Sequence, residues 1–353
     1  MYSGLINKYR DFFDFNKATT PVSLSEGRTP LIRAYNLESI FNQDIKIYLK
    51  FEGLNPTGSF KDRGMTAAVT KALEDESKAV ICASTGNTSA SAAAYAARAN
   101  LKSYVIIPSG KIAKGKLAQA VVYGANILSI EGNFDDALEI VKKISKEHNI
   151  TMVNSLNPYR IEGQKTAAFE ICDDIKEFDY LFIPVGNAGN ITAYWKGFKE
   201  YQEKSLIKYP PKMMGYQAYD SAPLVVGHTV KNPETVATAI RIGNPASKNT
   251  ALDAIKESNG HIDRIRDEDI LAAQLLLSSK EGIFAEPASA ISFAGLIKAF
   301  NEDLMPHGST AVCVLTGNGL KDSDIILKSD YSYKNLPSDY KAIEAYILKE
   351  GLI

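Results

Sequence analysis

The run Tyr180-Leu181-Phe182-Ile183-Pro184-Val185 leads directly into Gly186-Asn187-Ala188-Gly189-Asn190, and an amphipathic stretch to residue 204 follows. Near-continuous apolar residues are the pattern of a strand covered on both faces, while the longer stretch carries the helical period. The small residues between them let backbone N–H groups approach an anion at a helix start, where the dipole favours negative charge. A tight turn would use the glycines equally well, so the cup gains meaning from its neighbours. Strand, cup and helix in this order predict an α/β protein whose ligands bind beyond the carboxyl ends of parallel strands.

The same alternation extends in both directions. Towards the N-terminus, Lys46–Phe51, Ala79–Ala83, Tyr104–Pro108 and Ile127–Ile130 read as strands, with helices over 60–74, 88–99, 114–123 and 133–148. A second series takes in a helix over 162–177, the strand at 180–185 and a helix over 190–204. It continues with a strand at 213–218, helices near 268–280 and 287–300, and a strand at 311–315. These two series predict two domains, each an open, mostly parallel sheet covered by helices, with the ligand in the cleft between them and a boundary near residues 150–155. Three strand exits carry chemistry: Ser84-Thr85-Gly86-Asn87-Thr88-Ser89, the 186–190 cup, and Thr316-Gly317-Asn318-Gly319.

Composition narrows the class of ligand. The chain has 353 residues, 45% of them hydrophobic, enough for one large core or two ordinary ones. Its 40 basic and 41 acidic residues are interspersed and give a net charge of -1, which draws neither nucleic acid nor an anionic membrane. A small-molecule ligand is expected. The N-terminus lacks the apolar core of a signal peptide, and no run approaches the ~20 apolar residues of a membrane span, so the expectation is a cytoplasmic protein. The three cysteines, Cys82, Cys172 and Cys313, sit in apolar stretches and read as buried thiols. Neither they nor the four scattered histidines have metal-ligand spacing, so no metal site is expected.

Ser59-Phe60-Lys61-Asp62-Arg63-Gly64 places a lysine just inside a helix start. With Ser59 as N-cap, Lys61 falls in the first turn, where the positive helix end lowers the pKa of its ammonium. An amine relieved of its proton can condense with an aldehyde and later shuttle protons. A solvated, charged helix start would explain Lys61 alone, but not the accompanying loops. A helix-start loop for a phenolate, a glycine cup for a phosphate and a lysine for an aldehyde together suggest pyridoxal phosphate. No Gly-x-Gly-x-x-Gly follows a first strand, which disfavours a nicotinamide oxidoreductase.

The segment Leu49–Gly64 resembles the cofactor-lysine segment of the tryptophan-synthase-β-like family of pyridoxal phosphate enzymes, fold type II. More narrowly, Ser84–Ser89, Gly186–Asn190, Ala237-Thr-Ala-Ile-Arg-Ile-Gly-Asn-Pro-Ala246 and Leu315-Thr-Gly-Asn-Gly-Leu-Lys-Asp322 resemble the short-form threonine synthases of that family. The likeness runs from Gly27 to Asp322. It implies that Lys61 holds the cofactor as a Schiff base, that Asn87 bonds its ring oxygen, that Gly186, Asn187, Ala188, Gly189 and Asn190 hold its phosphate, and that Thr316 faces the ring nitrogen. It further implies γ-elimination of phosphate from O-phospho-L-homoserine and β-addition of water, giving L-threonine. Substrate phosphate is then expected at Thr88, Lys111, Asn154, Ser155 and Arg160, and substrate carboxylate at Ser84, Thr85 and the loop through Asn87. Lys114 and Lys116 share the glycine-flanked turn of Lys111; Lys116 competes with it, and Lys114 reads as solvated surface charge.

By the same resemblance, residues 1–56 and 153–353 form a large cofactor-binding domain and 57–152 a small, mobile, substrate-binding one, in a homodimer. Phe12-Phe13 on the N-terminal arm suits either a dimer interface or the chain's own core. A threonine or serine dehydratase of the same fold is the alternative, though such enzymes carry a run of glycines at the cup. A cysteine-synthase-like enzyme lacks a supporting thiol-handling feature here, and a non-catalytic binding protein would not need Lys61.

Overall fold

The structure, a computed structural model, describes residues 1–42, 45–109, 114–322 and 334–349. Its compact units are Met1–Asp322 and Ser323–Ile353. The first unit runs α1 (Leu5–Lys8), β1 (Leu31–Arg33), α2 (Tyr35–Glu38), β2 (Lys46–Phe51), α3 (Lys61–Glu74), β3 (Ala79–Ala83), α4 (Asn87–Arg98) and β4 (Lys102–Pro108). It continues with α5 (Lys114–Val122), β5 (Asn126–Ile130), α6 (Phe134–Glu147), β6 (Ile150–Met152), α7 (Pro158–Gln164), α8 (Thr166–Ile175), β7 (Tyr180–Pro184) and α9 (Gly189–Glu203). It closes with β8 (Lys212–Ala218), α10 (Pro223–Val226), α11 (Lys248–Glu257), β9 (His261–Ile265), α12 (Asp267–Glu281), α13 (Pro287–Asn301) and β10 (Thr310–Leu315). The second unit contains one described helix, α14 (Tyr340–Lys349).

The strands form two sheets, a six-stranded one ordered β1-β2-β10-β7-β8-β9 and a four-stranded one ordered β5-β4-β3-β6. Every pairing is parallel except that of β1 with β2. Strand β10 shows why continuous apolar runs were needed. Ala311, Cys313 and Leu315 enter one core cluster, whereas Val312 and Val314 enter the cluster on the opposite face. The four-stranded sheet lies between a cluster around Val80, Cys82, Val105 and Tyr95 and one around Ile81, Ile106 and Val141. All three cysteines are buried free thiols. Phe12 packs on the chain's own core, with its ring 4.5 Å from that of Phe169 and 5.5 Å from that of Tyr201. Among the described residues no helix is long and apolar enough to cross a membrane.

Two expectations are corrected. The single helix expected over 162–177 is two, α7 and α8, and α7 begins earlier because Pro158 takes its first position and Asn157 Oδ1 accepts from Tyr159 N at 2.9 Å. Ser59 does not cap α3 with its hydroxyl; Phe60 occupies the cap position, and the Asp62 and Arg63 amides donate to the carbonyls of Ser59 and Phe60. The short edge strands β1 and β9 and the three-residue β6 lay below the threshold of periodicity arguments.

Helices α3 and α7 touch backbone to backbone through Gly64 and Gly163. A Cβ on Gly163 would lie 1.9 Å from the carbonyl oxygen of Arg63, which is fixed main chain. Gly163→Ala is therefore expected to destabilise the protein by about 2 kcal/mol or more through overpacking. An unchanged denaturant midpoint would contradict this account of the helix contact.

Candidate active site

The start of α3 is tied to the loop after β10. Phe60 N donates to Thr316 O at 2.9 Å, and Asn318 N donates to Gly58 O at 2.9 Å. Lys321 Nζ donates to Thr57 O at 2.9 Å and also to Gln119 Oε1 on α5. These bonds bring Lys61 and Thr316 from distant sequence positions to one place. Half-buried Lys61 keeps its Nζ 4.3 Å from the centre of the Phe60 ring.

Burial brings the Lys61 amine down to about 7, helped by the charge of Arg160 and opposed by that of Glu286. The folded site disfavours the ammonium, so the free amine prevails above about pH 7 and is lost as the pH falls through that value. Capture of an aldehyde by the cofactor-free protein should therefore slow about tenfold per pH unit on the acid side. Stopped-flow absorbance would check it, and a rate constant across that range would overturn it.

Asp62 and Arg63, the next two residues, are engaged elsewhere. Buried Asp62 accepts from Thr57 N at 2.7 Å, Thr57 Oγ1 at 2.6 Å and Ser91 Oγ at 2.6 Å, while desolvation lifts its carboxyl to about 6. Arg63 enters a buried network. It donates to Glu52 at 2.6 and 2.8 Å, to Glu170 at 2.6 and 2.9 Å, and to Thr29 Oγ1 at 3.0 Å. Lys50 Nζ completes it, 2.8 Å from Glu170 Oε2. The first turn of α3 is thereby locked against β2, α8 and the 27–31 loop.

The β3 exit supplies a second loop. Half-buried Ser84, Thr85 and Thr88 lie there, Asn87 is the first residue of α4, and Ser84 Oγ accepts from Gly86 N at 3.2 Å. Asn154 holds this loop: its Nδ2 donates to Ala83 O at 2.9 Å and its Oδ1 accepts from Ala83 N at 3.0 Å. Its amide imitates a strand partner beyond the end of β6, leaving one N–H for other use. The glycine cup opens α9, with Ala188 in the left-handed region at φ 66°. Asn187 is tied back through its Oδ1, which accepts from Ala246 N at 3.3 Å, and its carbonyl, which accepts from Ser247 N at 3.1 Å. Thr238 Oγ1 donates to Asp322 Oδ2 at 2.8 Å, so the 237–246 motif also braces the end of the 315–322 motif. Thr316 is buried with its hydroxyl 3.0 Å from that of Ser289.

Arg160 is buried and gives Nη1 to Val153 O at 2.8 Å, whereas its Nε and Nη2 have no partner among the described residues. Ser155 is half-exposed nearby in sequence. Lys111 lies outside the described residues, as do the side chains of Lys114 and Lys116. Sequence reasoning missed three participants. Glu286 is buried with its carboxyl 3.1 Å from Asn87 Nδ2, and desolvation raises its pKa. Ser289 and Lys321 are the others. Glu286-Pro287 opening an apolar helix was a readable helix-start signal, and Lys321 lay in a quoted motif without a role.

Three helix starts bear an amine, a carboxamide and a glycine cup in an α/β fold built on two mostly parallel sheets. Solved structures of this fold include maize serine racemase, with a TM-score of 0.72 at 19% identity over 99% of this chain and 100% of that one. A mutant O-ureido-L-serine synthase with O-ureido-L-serine bound gives 0.74 at 16% identity, covering 94% of this chain and 98% of that one. The profile described as pyridoxal-phosphate dependent enzyme matches residues 22–317, and the chain belongs to that family. Among its relatives, a threonine synthase of Bacillus sp. (strain ULM1) is 56% identical over 98% of both chains. That of Halalkalibacterium halodurans is 57% identical over 98% of both, and that of Methanocaldococcus jannaschii 50% identical over 97% of this chain and 87% of its own.

The cofactor is accordingly pyridoxal phosphate, and the residues present fit it. Ser59 Oγ and both amide atoms of Asn190 are buried without partners among the described residues, at the lysine turn and at the end of the cup. A phosphate there would meet backbone N–H groups that the start of a helix leaves unbonded.

Proposed function

We propose that the protein is a threonine synthase, converting O-phospho-L-homoserine and water into L-threonine and inorganic phosphate. The reading is carried by end-to-end likeness to enzymes of that name, and is supported by the bond from Phe60 N to Thr316 O that holds the lysine turn beside the Thr316 loop. Pyridoxal phosphate, when bound, supplies an electron sink for negative charge developing beside the amino-acid α-carbon. Lys61 holds it covalently, Asn87 meets its ring oxygen, residues 186–190 take its phosphate, and the neutral hydroxyl of Thr316 faces its ring nitrogen. An uncharged partner there does not demand a protonated nitrogen, which moderates the sink.

Lys61, poised near neutrality, removes the proton from Cα and then from Cβ of the substrate. Phosphate departs from Cγ, a proton is returned to Cγ, water adds at Cβ, and a proton returned to Cα completes L-threonine. Arg160 offers its free Nε and Nη2 to the substrate phosphate, a pairing that a planar guanidinium makes bidentately. Thr88, Lys111, the remaining N–H of Asn154 and Ser155 complete that subsite. The substrate carboxylate lies against Ser84, Thr85 and the amides leading to Asn87 at the α4 start.

The proposal extends to a cytoplasmic homodimer, checked by sedimentation and cell fractionation. It also extends to a mobile small domain of residues 57–152 against a large one of 1–56 and 153–353. The four-stranded sheet falls wholly within the smaller span. Identical domain angles in free and inhibitor-bound crystals would count against the motion. The activity is tested by incubating the holoenzyme with O-phospho-L-homoserine. Equimolar threonine and phosphate are expected; no phosphate, with a 2-oxo acid formed from threonine or serine, would replace the reading with a dehydratase.

A further inference from the structure

Glu286 is an acid in a place that sequence reasoning did not assign. It immediately precedes α13, whose first position is Pro287, yet its side chain makes no capping bond to its own helix. The carboxyl instead reaches Asn87, the first residue of α4, with Oε2 3.1 Å and Oε1 3.4 Å from Nδ2. The main chain holds it there: Glu286 N donates to Gly317 O at 3.1 Å. Gly317 leaves the room, since a Cβ on it would come within 2.5 Å of the Glu286 carboxyl carbon. The residue is 4% exposed, so its position is built rather than solvated.

We infer that Glu286 is a positioning residue of the cofactor site, orienting the Asn87 carboxamide and supplying the negative charge that balances the nitrogen of Lys61. The inference rests on Lys61 being the cofactor lysine.

The electrostatic surroundings agree with that assignment. Lys61 feels Arg160 from α7 as a like charge and Glu286 as its counter-charge. Around Glu286, burial and Asp322 favour the neutral acid, whereas Asn87, Lys321 and Lys61 favour the carboxylate. The positive starts of α4 and α13 add to the second group. Thr316 O and Gly317 O, which accept from Phe60 N and Glu286 N, hold the lysine turn and the acid on one loop, so a carboxylate there does two separable jobs. It fixes one hydrogen of Asn87 Nδ2, leaving the other to donate, and it favours a proton on the Lys61 nitrogen.

The test uses Glu286→Gln and Glu286→Ala as holoenzymes. Glutamine keeps an acceptor for Asn87 but no charge; alanine keeps neither. The measurements are the pH titration of cofactor absorbance and the retention of pyridoxal phosphate on dilution, with circular dichroism to check folding. Glu286→Gln is expected to hold the cofactor within about threefold of wild type while its titration midpoint falls by about half a pH unit or more, because a positive nitrogen has lost its counter-charge. Glu286→Ala should show the same fall and bind the cofactor about tenfold more weakly. An unmoved midpoint in Glu286→Gln overturns the charge role. Wild-type cofactor retention in Glu286→Ala overturns the orienting role. Borohydride reduction of wild type followed by peptide mapping locates the cofactor lysine separately; label on another residue would defeat the premise, not the geometry around Asn87.

Discussion

Lys61→Ala is expected to retain the fold and lose roughly ten-thousand-fold or more of its threonine-forming rate, the combined loss of the covalent anchor and the proton carrier. The fold should survive because Lys61, half-buried as a residue, keeps its Nζ over the Phe60 ring, whereas the bonds that fix the α3 start belong to main chain and to Asp62 and Arg63. Relief of a disfavoured ammonium should if anything stabilise the cofactor-free protein. Phosphate release under saturating cofactor measures the loss, alongside the cofactor absorbance bound to lysine. Near-normal turnover would refute the role of Lys61, and an unfolded variant would refute the separation of chemistry from scaffold.

Arg63→Met should cost about 3–5 kcal/mol of folding stability, because it strands two buried carboxylates that one guanidinium now serves. Glu52 and Glu170 both lie within 2.6 Å of Arg63 nitrogens, and neither carboxylate can turn to solvent. Lys50 would still serve Glu170, leaving Glu52 the more exposed to the loss. Burial acts to raise the Glu170 carboxyl, yet Arg63 and Lys50 outweigh it and hold the group well below its ordinary value of 4.5. A depressed carboxylate contributes stability above its unfolded pKa and loses it as the pH falls below that value. The wild type should thus weaken steadily below about pH 4.5, while the variant should begin from a lower stability and show less of that acid-dependent loss. Guanidinium denaturation as a function of pH gives both quantities; a loss under about 1 kcal/mol would mean the network is solvated in solution.

The parts proposed for catalysis could be picked out in the sequence because each depends on local chemistry. Lys61 at a helix start, the cup after an apolar strand and the thin 316–319 loop announce themselves by residue type and by their place beyond a strand. The network of Arg63 was not legible, since Glu52, Glu170 and Lys50 come from three separate elements and carry no spacing rule. Glu286 was hidden for the same reason: its partner Asn87 is 199 positions away. Ser59 misled because a serine two residues before a lysine looks like an N-cap, whereas the turn starts one residue later and leaves the hydroxyl unpartnered within the protein. Asn154 was read only as a phosphate ligand, and its pairing with Ala83 needed the sheet to be assembled first.

Three consecutive residues at the head of α3 have separate allegiances. Asp62 is bound to Ser91 on α4 beside the smaller sheet, Arg63 to Glu52 and Glu170 beside the larger, and Lys61 directly precedes both. A turn of one sheet against the other would be transmitted through this single helical turn, which is fastened to both. Under the proposed motion the amine, within two residues of both anchors, would be displaced less than the loops farther out. Loops farther out could sweep over a substrate while the atom that must carry its protons stays in register.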